Sequence, residues 1–240
     1  MRCLSGGALV PVVRRRPHRP RDGRQAAPHG GPRVRSRRVP RCAIIVAALV
    51  LTGALAGCDD ETPIVPGPGP SKVVVDTPEL RELKATTALA DCAPGPGGGA
   101  LPDITLPCLG GGTSVDLASL RGPLVLSFWY AGCEPCKKEM PALEEFHTTY
   151  GAQVPVIGVD FIDTYPGSAL EELKERGVTY PSLADPGGEL QQFEEFAKIP
   201  GMPTMFFVDE AGTIAFQRSG GVDSADEVAD LVREHLGVAL

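Results

Sequence analysis

Two hydrophobic rhythms share the C-terminal part of the chain. Leu124–Trp129 (LVLSFW) is a short apolar run, too brief for a stand-alone helix and rich in strand formers. Pro135–Tyr150 follows with Met140, Leu143, Phe146 and Tyr150 at helical spacing, a stripe that reads as core rather than as a binding surface. Val154–Val159 is the next expected strand and Ser168–Arg176 the next helix, with Ser168 as N-cap and Gly177 as stop. Glu189–Phe196 predicts a short helix. Met205–Val208 and Ile214–Gln217 flank Asp209-Glu210-Ala211-Gly212, a hairpin turn signal, and Asp223–Leu236 closes the chain as an acidic amphipathic helix. Upstream, Ile104–Leu106 and Ser114–Asp116 predict an extra hairpin around Gly110–Gly112. The order strand–helix–strand, antiparallel hairpin, helix predicts an α/β domain, a mixed sheet with helices on both faces.

The N-terminal part follows neither rhythm. Ala43–Ala56 is an uncharged apolar run behind Arg37, Arg38 and Arg41, the pattern of a secretory signal and too short to span a membrane. It closes on Leu55-Ala56-Gly57-Cys58, which resembles the bacterial lipobox; that resemblance implies lipidation of Cys58 and cell-membrane anchoring on the extracytoplasmic side. Residues 1–36 are long and Pro-rich for a signal's basic end and read as an over-extended gene start, with initiation near Val34 or Val39. Between 59 and about 100, Pro63, Pro66, Pro68, Pro70 and Gly95–Gly99 mark low-complexity material, interrupted by an amphipathic piece at Pro78–Leu89. The expected division is therefore 1–57 basic disordered head plus signal, 58–99 flexible tether, and 100–240 folded domain.

Charge separates along the same boundary. Residues 1–41 hold 12 arginines against one acid, Asp22, a net of +11; the rest holds 11 basic and 29 acidic residues, a net of −18. The acidic part carries no basic stripe, which excludes nucleic acid as an expected partner.

Candidate chemistry sits at Cys133-Glu134-Pro135-Cys136, between the strand ending at Trp129 and the helix beginning near Pro135. A helix N-terminus offers unpaired N–H groups and a partial positive charge, which favour a thiolate. Cys133 is thus the expected exposed nucleophile, and Cys136, one turn on, resolves the mixed disulfide. No cofactor is needed. Half of a zinc site is the competing reading, but His147 and His235 have no Cys or His neighbour at ligand spacing.

The stretch SFWYAGCEPCKKEMPALEEF, the lead-in Asp116–Leu120-Arg121-Gly122 and the later Gly201-Met202-Pro203-Thr204 together resemble the membrane-anchored thiol:disulfide oxidoreductases of the TlpA/ResA group, in the AhpC/TSA–redoxin superfamily. The resemblance covers about Leu101–Leu236 and implies a thioredoxin-like fold. It implies a cis bond before Pro203, with Met202 and Trp129 helping to bind an extended substrate segment. It also implies that Glu139, three residues past Cys136, does the proton chemistry which a buried Asp does in thioredoxins proper, where this chain has Ser127. Two departures stand out. Gly132 replaces a common Trp before the first Cys, which predicts a more exposed nucleophile, and Tyr130 replaces a small residue. The implied activity is reduction of disulfides in exported proteins, including apocytochromes c, with a membrane thiol donor or acceptor as redox partner. A DsbA-like oxidant, a thiol peroxidase and a copper or haem chaperone are the alternatives.

Of the other cysteines, Cys3 and Cys42 precede the expected cleavage point. With the helix-terminal pair bridged, Cys92–Cys108 is the natural second disulfide, expected to be structural and to contribute ~3 kcal/mol by constraining the unfolded chain. A second redox pair is the alternative.

Overall fold

The computed structural model describes residues 71–240. The basic head, the apolar run 43–56, Cys3, Cys42 and the lipobox Cys58 lie outside the described residues.

Helix α1 (Pro78–Lys84) begins after Thr77, whose hydroxyl accepts the Leu80 N–H at 3.3 Å. It ends where the hydroxyls of Thr86 and Thr87 bond back to the Leu83 and Lys84 carbonyls at 2.8 and 2.7 Å, so the amphipathic piece is shorter than its periodicity suggested. The expected upstream hairpin is present as β1 (Thr105–Leu106) and β2 (Val115–Asp116), paired antiparallel. Then come β3 (Leu124–Trp129), α2 (Glu134–Tyr150), β4 (Val156–Phe161), α3 (Pro166–Glu175), β5 (Ser182–Asp185), β6 (Thr204–Val208), β7 (Ile214–Ser219) and α4 (Ala225–Leu236).

The main sheet has the order β5-β4-β3-β6-β7, with β3, β4 and β5 mutually parallel and β6 and β7 antiparallel to their neighbours. This is the mixed sheet of a thioredoxin-like fold, and β3 lies at its centre. Alternate residues of β3 feed two cores. Val125 and Trp129 join Met205 and Phe207 of β6 under α2, α3 and α4. Leu124, Leu126 and Phe128 join Phe206 and Val208 on the opposite face. That second face is covered by the β1–β2 hairpin, by Phe196, and by two short 3₁₀ helices at Leu117–Ser119 and Glu189–Gln192. Three-ten turns, rather than long α-helices, thus supply the second helical layer.

Several boundaries differ from expectation. Strand β5 has no apolar alternation to announce it; its four residues are buried because they pair with β4. The helix expected over Glu189–Phe196 shortens to a 3₁₀ turn, held by Asp185, whose carboxylate accepts the Glu189 and Leu190 N–H groups at 2.7 and 2.9 Å. Helix α3 starts at Pro166, with Tyr165 rather than Ser168 at its cap, because proline fits the first helical turn without losing a bond. Gly177 does stop it, at φ 66°.

The largest correction concerns the tether. Residues 71–99 belong to the folded unit over their whole length. Val75 and Cys92 are buried, Gly110 donates to the Val75 carbonyl at 3.0 Å, and Ala90 donates to Thr179 at 2.8 Å. The glycines that signalled flexibility serve close packing instead. Gly97 and Gly99 donate to Ser119 and Ala118 at 2.9 Å, and a Cβ on Gly95 or Gly99 would collide with the backbone of Ser119 or Leu120.

Candidate active site

Strand β3 delivers the chain to the sheet's carboxyl edge, and Tyr130–Gly132 turn it into α2. Asp163, on the loop after β4, fixes that turn. Its carboxylate accepts the Ala131 N–H at 2.7 Å and the Tyr165 N–H at 2.8 Å, tying the cysteine-bearing loop to the entry of α3. Behind it, Asp160 is 1% exposed with one oxygen unpartnered. Burial, and then the neighbouring Asp163, push the Asp160 carboxyl well above the usual range. Its burial beside a second carboxylate thus favours the protonated form of Asp160. Sequence reasoning missed this pair; an Asp just past a strand and ahead of a Pro-initiated helix was the available signal.

Cys133 occupies the N-cap of α2, and its sulfur accepts the Cys136 N–H at 3.1 Å. The two sulfurs are bonded to each other. The expected exposure of the nucleophile is corrected: Cys133 is 2% exposed and Cys136 fully buried. The bond to Cys136 and the cap contact both draw the Cys133 sulfur inward. The missing Trp at Gly132 does not leave the sulfur bare either, since the Tyr130 ring folds over that position and a Cβ there would stand 3.2 Å from it. Trp129, expected to help bind substrate, is 2% exposed and points its indole N–H at the Ser182 hydroxyl, 3.4 Å away. Its place on β3 commits it to the core beneath α2 and α3. Tyr130, one residue on, reaches the surface.

Glu139 lies on the buried face of α2, one turn after Cys136. Glu139 is 1% exposed; one carboxyl oxygen accepts the Ser127 hydroxyl at 3.3 Å, and the other has no close hydrogen-bond partner. Burial raises its pKa from 4.5 to about 8, while Ser127, the Val222 backbone and Arg218 pull the other way. Ser127, where thioredoxins proper have an acid, thus touches the acid that stands on α2. Lys137, the residue after Cys136, pairs with Glu172 at 2.8 Å and Glu134 at 3.2 Å.

The Met202–Pro203 bond is cis, as the resemblance implied; a second cis bond, Gly122–Pro123, was not anticipated. Met202 is half-buried and borders a cavity of about 340 Å³ with Tyr130, Phe161, Ile162, Gln191, Ile199 and Gly201. Ile162 is unusual there: it is the one described non-glycine residue with a left-handed backbone (φ 54°) and is half exposed. The structure thus brings Cys133, Cys136 and Glu139 together on α2. Cys92 and Cys108 form their own bridge elsewhere.

Known proteins with related sequences carry the same motif chemistry in their names. The thiol-disulfide oxidoreductase ResA of Bacillus thuringiensis is 27% identical over 127 residues, 51% of this chain and 69% of that protein. The sporulation thiol-disulfide oxidoreductase A of Bacillus subtilis is 25% identical over 51% of this chain and 74% of its own length. Among solved structures, a thiol:disulfide interchange protein DsbE from Chlorobium tepidum is similar at 27% identity and a TM-score of 0.47, covering 56% of this chain and 93% of that one. Matched to the AhpC/TSA family over residues 98–217, half of its length, the chain belongs to that family and is a thiol:disulfide oxidoreductase of the ResA type.

Proposed function

We propose that this enzyme is an extracytoplasmic disulfide reductant, exported by the signal within residues 1–57 and held at the cell membrane by a lipid on Cys58. The charge around the redox pair supports that direction of electron flow. Lys137, the residue after Cys136, is paired with Glu172 and Glu134, and the buried Glu139 carboxyl stands one turn past Cys136. A thiolate on Cys133 is then favoured by little beyond the N-terminus of α2, so the dithiol is the less stable form and gives up its electrons readily.

In the reaction, the Cys133 thiolate bonds to one sulfur of the substrate disulfide and releases the other as a thiolate, which takes a proton from water. Glu139 takes the Cys136 proton. The Cys136 thiolate then bonds to Cys133 and expels the second substrate sulfur. The product is the Cys133–Cys136 disulfide beside a protonated Glu139, which matches a carboxyl pKa of about 8. An external membrane thiol donor restores the dithiol. The substrate strand lies along Met202 and Pro203, beside the cavity shared by Met202 and Tyr130. Exported proteins with accessible disulfides are the substrate class, among them apocytochromes c.

Equilibration of Cys133–Cys136 with redox buffers tests the direction. A potential near about −300 mV is expected, and one near about −120 mV would make the enzyme an oxidant instead. Fatty-acid labelling that survives Cys58→Ala would remove the anchor from the proposal.

A further inference from the structure

The second disulfide has surroundings opposite to the first. Cys92–Cys108 joins the segment after α1 to the loop between β1 and β2. Lys84, the last residue of α1, has a side chain only 10% exposed and sets its ammonium 3.3 Å from the Cys108 sulfur. The same ammonium donates to the Gly111 carbonyl at 2.7 Å and pairs with exposed Asp91 at 3.4 Å. The Cys92 sulfur lies 3.4 Å from the Ser182 carbonyl oxygen. A disulfide accepts only weakly at the first contact and has no proton to give at the second. Both suit the reduced pair: a thiolate on Cys108 facing the ammonium, and a thiol on Cys92 donating to the carbonyl.

We propose that Cys92–Cys108 is a second thiol–disulfide exchange site, in which Lys84 selects Cys108 as the thiolate and an external dithiol supplies the electrons. The dithiol's thiolate bonds to Cys92 and the Cys92–Cys108 bond breaks, with Cys108 leaving as the thiolate that Lys84 holds. The reductant's second sulfur then closes its own disulfide and releases Cys92, which takes up a proton. Of the two protons lost by the dithiol, one ends on Cys92 and one in water. Two electrons pass from dithiol to bridge.

The helix N-terminus that stabilises a thiolate at Cys133 is replaced here by a side-chain cation, which acts on leaving-group thiolates in the same way. Access fits the proposal. Cys92 is buried, but Asp91, Ala93 and Pro94 around it are exposed on an irregular segment. A cleft of about 340 Å³ lined by Arg81, Lys84, Asp91 and Gly110–Gly112 adjoins Lys84. A Cβ on Gly112 would stand 3.5 Å from the ammonium and 3.8 Å from the Cys108 Cβ, so glycine keeps that cleft open. The proposal rests on the contacts of Cys92 and Cys108 and is independent of the direction assigned to Cys133–Cys136.

The test uses the full chain carrying Cys133→Ser and Cys136→Ser, equilibrated in glutathione redox buffers. Differential alkylation and peptide mass then read Cys92 and Cys108 separately. The bridge is expected to open in the folded protein, with circular dichroism unchanged. Lys84→Met should demand a roughly tenfold more reducing buffer, the equivalent of about one pKa unit, and Lys84→Arg should restore the midpoint. In the reduced protein with Lys84 intact, Cys108 should alkylate at lower pH than Cys92. A purely structural Lys84 would change thermal stability without moving either readout. An unchanged midpoint in Lys84→Met, a bridge that opens only as the protein unfolds, or a Cys108 no more acidic than Cys92 would each overturn the proposal. Should Lys84→Met fail to fold, the alkylation order with Lys84 intact still decides it.

Discussion

Replacing Glu139 by Gln should make the oxidised enzyme more stable, and increasingly so as pH rises. The carboxyl titrates at its ordinary 4.5 in the unfolded chain and at about 8 in the fold, so ionisation opposes folding. Below pH 4.5 both states carry the proton and no penalty exists. Between the two values the unfolded state ionises first, and each pH unit then costs about 1.4 kcal/mol of stability. The accumulated penalty is about 3 kcal/mol at pH 7 and levels off near 5 kcal/mol above pH 8. The amide of the variant cannot ionise, and it keeps the size that fills the space beside Ser127 and Gly221. Urea unfolding of both proteins in their disulfide forms at several pH values measures the difference directly. Contributions from Asp160 and Asp185 are common to both and cancel. The variant should also reduce insulin disulfides more slowly, through loss of the base that takes the Cys136 proton. Parallel stability curves from pH 5 to 9 would refute the placement of an uncompensated buried carboxyl at this site.

The remaining predictions concern the elements that hold the site. Cys136→Ser should trap a mixed disulfide between Cys133 and substrate, visible as a mass adduct, whereas Cys133→Ser should abolish both trapping and turnover. Asp163→Ala removes the acceptor for two N–H groups, at Ala131 and Tyr165, and should cost about 2–3 kcal/mol in denaturant unfolding while slowing disulfide reduction. Ile162→Asn relieves a β-branched residue at φ 54° and should stabilise by about 0.5–1 kcal/mol, which the same unfolding assay reads.

What the sequence disclosed follows from how local each signal was. The cysteine motif, the helix stripe of Met140, Leu143 and Phe146, and the turn at Asp209–Gly212 are written in consecutive residues, and the structure has them where expected. Strand β5 was hidden because its burial comes from pairing with β4, not from its own four residues. The tie from Asp163 to Ala131 joins loops 32 residues apart in the chain, and no local pattern encodes it. Trp129 was misjudged because a motif fixes sequence position, while the face of β3 on which a residue points fixes exposure. Gly95 and Gly99 misled for a related reason: a glycine that avoids a collision and one that confers flexibility look alike until the opposing backbone is known.

The docking of residues 71–99 against the domain changes the working radius of the enzyme. A free chain from Cys58 to residue 99 would extend to about 140 Å, enough to sweep far above a membrane. Ser71, whose backbone already lies against Gly187, stands only 13 positions after Cys58, and that stretch can extend to at most about 45 Å. With Cys58 as the proposed anchor, the near side of the domain, at Ser71, would be leashed within about 45 Å of the bilayer. Under that proposal its clients would be proteins emerging from, or embedded in, that same surface.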